Sequence, residues 1–237
     1  MIVLWEFYVA IESRGKMPTV SDSVTIFDKM QIYFSALIKV IRGLILFVTT
    51  THAKSVIFVG RHVRIMNRQH LHIESKVKLE DYCEIQGLST NGIYFGKGVT
   101  IGRGVQIRPS SYYGVGHIGY GLSIGENSSI GPGGFIGCAG EVKINKNVMI
   151  GPNVTIIAEN HHFQNINKSI KEQGVYQKGI FIHDDVWIGA NVTILDGVMI
   201  ESGAVIGAGA IITKNVPANT VVVDKLTPVL RSRLSHK

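Results

Sequence analysis

The chain has 237 residues, of which 45% are apolar and only 17% charged, a balance that excludes global disorder and allows one well-filled core. A net charge of +7 suits an anionic partner, but Lys and Arg are scattered and no basic run interleaves with aromatics, so nucleic acid is not expected. The 27 glycines exceed the usual share of roughly 7% without a three-residue period, which excludes collagen and suggests a backbone that turns often.

The N-terminus, MIVLWEFYVAIESRGK, is apolar but carries Glu6 and lacks a leading positive cluster, so it reads as a poor signal peptide. Residues 1–55 are expected to form an N-terminal segment, with an amphipathic helix over 28–48 whose polar stripe is Gln31, Ser35, Lys39 and Arg42. Two central cations make it too charged for a membrane span. Two readings stay open: a cap on the body that follows, or a helix lying on a bilayer as a peripheral contact. The expected location is cytoplasmic, with that contact at the inner face of the membrane.

From Ile182 an aliphatic residue recurs every six positions: Ile188, Ile194, Ile200, Ile206, Ile212. Four residues after each comes a small or branched one, such as Val186, Val192 and Ala204. The same phase appears at Ile73, Leu79 and Ile85, at Phe95, Ile101 and Ile107, at Ile118, Ile124, Ile130 and Ile136, and at Ile144, Ile150 and Ile156. A period of six fits neither a helix nor a simple run of strands. It fits an all-β parallel coil with three flat faces, one hexapeptide per face, aliphatics inward and corners that admit positive φ. The coil is expected over 56–222, in roughly nine turns at about 4.8 Å each, with 223–237 as a tail. Cys83 and Cys138 stand outside any metal spacing and read as reduced thiols of a cytoplasmic protein.

A repeating scaffold places its chemistry where it breaks. The largest break spans 157–179; it is polar and carries Glu159, His161, His162 and Glu172. Smaller breaks lie at 86–94 and 108–117, and a glycine-rich stretch from Gly131 to Gly140 departs more subtly.

The segments GPNVTIIAENHHF and IHDDVWIGANVTILDGVMIESGAVIGAGAIITKNVPANT resemble the hexapeptide-repeat acetyltransferases, specifically the maltose and galactoside O-acetyltransferase branch and the capsule and O-antigen O-acetyltransferases within it. The resemblance covers about 118–222 well and the earlier coils loosely. It implies a left-handed parallel β-helix with a protruding catalytic loop, acetyl-CoA as acyl donor, no metal, a saccharide acceptor, and a homotrimer with sites between neighbouring subunits. It places the catalytic histidine on His161 and a carboxylate that orients it near Glu172. For coenzyme A it points to Trp187, Gly189, Ala190, Gly207, Ala208, Thr213 and Lys214, and to Arg231 at the adenosine end. There the family's usual Gly-Asn-Pro-Ala is replaced by Asp224-Lys225-Leu226-Thr227-Pro228.

The chemistry agrees with that residue set. A sugar hydroxyl is a poor nucleophile and a thioester is already activated, so transfer needs a base and donors for an oxyanion. Histidine titrates near neutral pH and is the natural base, and backbone N–H groups at a tight corner, with Ala190 the best candidate, can serve as donors. His162 stays open as the alternative base. Other readings are N-acetylation of an amino-sugar nucleotide, acetylation of an antibiotic and a non-catalytic binding solenoid. A carbonic anhydrase on the same fold is disfavoured because His161 and His162 are adjacent and chelate poorly.

Overall fold

A computed structural model describes residues 24–50, 52–53, 56–109 and 118–223. The chain divides into two compact units, Met1–Ile38 and Lys39–Lys237.

The described part of the first unit is the opening of one helix, Ile26–Thr49, which continues into the second. A reciprocal cap starts it: Thr25 N–H and Oγ1 both donate to Asp28 Oδ2, and Asp28 N–H donates to Thr25 Oγ1. In the second unit, residues 39–49 lie on the first coil through Val40, Gly43 and Leu46. The approach at Gly43 is backbone to backbone, since a Cβ there would stand 1.9 Å from the Ile57 carbonyl oxygen. Lys39 pairs with Glu80, Arg68 donates to Thr49 Oγ1 at 2.9 Å, and Leu46 joins the main core.

The body is a three-sided parallel β-helix. Among the described residues its faces hold seven, eight and seven strands; we call them A, B and C in the order the chain visits them, starting at His52–Ala53, Phe58–Val59 and Arg64–Met66. Each strand pairs in parallel with its counterpart one coil away, so identical positions stack: Ile136, Ile156 and Ile194 form one inward column, and Ile150, Ile188 and Ile206 another. These columns, with the small residues that follow them, make one continuous buried core. Burial of both thiols pushes Cys83 up to about 12 and raises Cys138 as well, so neither is a thiolate near neutral pH.

Two of the three corners are invariant. From Phe58 onward every turn from A to B and from B to C has four residues, and its third residue is left-handed. Gly104, Gly133, Asn153, Asn191 and Gly209 serve the B–C corner, residue types for which that conformation costs little. Early coils instead use His62 and Tyr82, whose rings stack at 5.0 Å with the Arg103 guanidinium 4.9 Å from the Tyr82 centroid. The third corner, from C to A, varies: four residues after Met66, then six, twelve, three, twenty-two and three.

Two expectations are corrected. The coil makes about seven turns rather than nine, because the C–A insertions consume residues that a strict six-residue count assigns to strands. Ile118 is 41% exposed and faces outward; it lies in the twelve-residue insertion, and the inward phase resumes at Leu122 and Ile124.

Candidate functional site

The twenty-two-residue insertion leaves face C after Ile157 and re-enters face A at Ile180. Its stem is a short antiparallel pair, with Asn160 opposite Tyr176 and His161 opposite Val175. Side chains alternate along such a strand, so Asn160 and His162 share one side and His161 takes the other. The His162 ring packs on Tyr176 at 4.9 Å. The His161 side chain is exposed, and among the described residues no side chain hydrogen-bonds it. Both imidazoles are exposed, and of the two only His162 packs its ring on a neighbour, which leaves His161 clear on its own side of the stem.

Glu172 is engaged elsewhere. Its carboxylate accepts from Ser169 N–H and Oγ at 3.1 and 2.8 Å, closing a capping box on the 3-10 turn Ile170–Gln173. Those bonds hold its carboxyl below the ordinary carboxylate value. In this chain no hydrogen bond joins Glu172 to His161; it caps a turn inside the loop in place of the expected orienting contact.

A carboxylate that the sequence reading did not single out holds the loop instead. Asp196, on the next coil at the same corner, accepts from Lys178 N–H at 2.9 and 3.0 Å and from Gly179 N–H at 2.9 Å. Its Oδ2 also meets Asn160 Nδ2 at 3.5 Å, the limit of a hydrogen bond. It therefore touches both legs of the insertion, one of them next to His161. Asp196→Ala is expected to speed amide exchange at Lys178 and Gly179 by at least tenfold while leaving exchange in the coil strands unchanged, by hydrogen-exchange mass spectrometry.

The residues expected to meet coenzyme A fall in three places. Trp187 projects from face B, 54% exposed, between Met149 and Val205 of neighbouring coils. Gly189–Ala190 and Gly207–Ala208 occupy the B–C corner on successive coils. A Cβ on Gly189 would stand 2.6 Å from the Ala208 nitrogen, so only glycine lets these coils stack. Among the described residues the amides of Ala190 and Ala208 have no backbone or side-chain acceptor. Thr213 and Lys214 are exposed at the C–A corner, stacked over Leu195 and Asp196. Arg231 lies outside the described residues. No group of three or more His, Cys, Asp or Glu able to hold a metal exists among the described residues.

Within one chain, His161 and Lys214 thus share the C–A edge, whereas the free amides of Ala190 and Ala208 line the B–C edge. Face C lies between them, one strand of about 10 Å across. In one chain the residues of the expected site therefore fall on two different edges.

Residues 179–214 match the bacterial transferase hexapeptide family (six repeats). The chain is 37% identical over 94 residues to a galactoside O-acetyltransferase of Lactococcus lactis, covering 39% of this chain and 43% of that one. It is 34% identical over 133 residues to a galactoside O-acetyltransferase of Escherichia coli, covering 56% and 63%. The chain thus spans less than two thirds of the length of these relatives. Among solved structures, a hexapeptide-repeat-containing acetyltransferase of Vibrio cholerae complexed with acetyl coenzyme A aligns over 58% of this chain and 69% of its own, at 25% identity and a TM-score of 0.47. Residues 179–214 thus carry the repeat of that transferase family, within a three-sided parallel β-helix that has one edge given over to insertions.

Proposed function

We propose that this protein is an acetyltransferase that moves an acetyl group from acetyl-CoA to a sugar hydroxyl of a cell-surface polysaccharide or its precursor. The observation that carries the reading is the open imidazole of His161, held on an anchored stem at the corner where the coil varies. His161 accepts the hydroxyl proton as the sugar oxygen bonds to the acetyl carbon, and returns it to the sulfur as the thioester bond breaks. The Ala190 amide donates to the thioester carbonyl oxygen as negative charge gathers there. The Ala208 amide and Lys214 hold the pantetheine and phosphate parts, and Trp187 shields the outer wall.

Because the two edges are separated in one chain, the working unit is a homotrimer in which the C–A edge of one subunit faces the B–C edge of the next. The reaction proceeds in the cytoplasm, where acetyl-CoA is made. The test is thiol release from acetyl-CoA, with and without a panel of saccharides. Acceptor-dependent release with a neutral or acidic sugar hydroxyl supports the reading. Release only with an amino-sugar nucleotide redirects it to N-acetylation, and no release with any acceptor, together with no retention of coenzyme A, sinks it.

A further inference from the structure

The helix Ile26–Thr49 carries an apolar stripe that the protein leaves uncovered. Phe27, Met30, Phe34, Leu37, Ile41, Leu44 and Val48 follow at alternating steps of three and four and are 39% to 81% exposed. At 3.6 residues per turn they fall on one side of the helix. In the second unit the seated positions are Val40, Gly43 and Leu46, centred about 150° around the helix from the stripe. That part of the stripe therefore points away from the first coil. The residues flanking it are apolar too: Ile26, Tyr33 and Ile45 are 79%, 47% and 65% exposed. Gln31, Ser35 and Arg42 stand on the polar side.

We infer that this stripe docks the protein on the surface of an anionic bilayer, with the helix lying in the interface. Insertion across the membrane does not fit, because residues 39–49 are fixed to the first coil. The remainder, 26–38, is about 20 Å of helix, short of the roughly 30 Å hydrocarbon core. A helix–helix seam with another copy has the same spacing, but such seams are bordered by charged residues that set the pairing. Here the borders are isoleucine and tyrosine, which widen the apolar face as an interfacial helix requires. The helix reaches a mean hydropathy of 1.9 with few charges. The chain's net charge of +7 complements anionic headgroups.

This inference concerns a surface apart from His161 and stands or falls independently of the proposed reaction. The test is flotation of the full-length chain with vesicles of equal parts phosphatidylcholine and phosphatidylglycerol. The wild type is expected in the floating fraction, and the double variant Phe34→Glu, Ile41→Glu is expected to bind about tenfold less or weaker still. Neither side chain belongs to the core, so the variant should keep the wild-type thermal midpoint, which checks that it has folded. Failure of the wild type to float overturns the inference, as does equal flotation of the folded variant. So does a fall in assembly mass in the variant, by analytical ultracentrifugation without lipid, unaccompanied by a loss of vesicle binding; the stripe would then belong to a second copy.

Discussion

His161→Ala is expected to lower acceptor-dependent thiol release from acetyl-CoA by 10²–10⁴-fold, roughly the contribution of a positioned general base. Because the imidazole is exposed and makes no side-chain hydrogen bond among the described residues, its removal should leave the fold and coenzyme A retention unchanged. The loss should therefore appear in kcat with little change in the KM for acetyl-CoA. His162→Ala provides the contrast. Its ring packs on Tyr176 and lies on the Asn160 side of the stem, so most of the activity should survive its loss. If His161→Ala transfers acetyl at the wild-type rate, the base assignment is wrong, and a collapse in His162→Ala would show that the loop works in the other register.

The largest stability effect is expected at the floor of that loop. Ile156 is fully buried, stacked between Ile136 and Ile194, and sits two residues before the insertion begins. Ile156→Ala removes three carbons from a column whose neighbours are held at fixed strand spacing and cannot collapse inward. A cost of about 2–5 kcal/mol follows, readable as a lower urea midpoint. Ile157→Ala, on the outward side of the same strand, should cost under about 1 kcal/mol. Equal midpoints for the two variants would mean that the inward column does not carry the stability assigned to it.

The architecture was legible because the period survives wherever turns have fixed length. Ile188, Ile194, Ile200 and Ile206 are evenly spaced because the turns between their strands are short, four residues at the constant corners and three between Leu195 and Met199, and all are buried. Ile118 shows the converse: it lies in the twelve-residue insertion, outside any strand, so no pairing ties it to the inward columns and its apparent phase is coincidental. Of the candidate site, the break in the repeat pointed to the loop that carries His161, whereas Ala190 and Ala208 were indicated by the family resemblance. Asp196 had neither signal. It sits in the regular coil, where an aspartate reads as a turn residue, and its work depends on the pairing of two coils through a loop of twenty-two residues. Glu172 was indicated by the family resemblance, whereas in the structure Ser169, three residues before it, takes its carboxylate in a capping box.

The uneven corner has a consequence for how such a scaffold can diversify. Lengthening a surface segment costs little, about 0.6 kcal/mol per doubling, provided both ends stay where they are. Here every coil closes through two corners of constant length, so material added at the third disturbs neither pairing nor packing below it. New loop shapes can accordingly be acquired by exchanging whole lobes along a single ridge, like interchangeable bits on one shank, without renegotiating the stack that carries them.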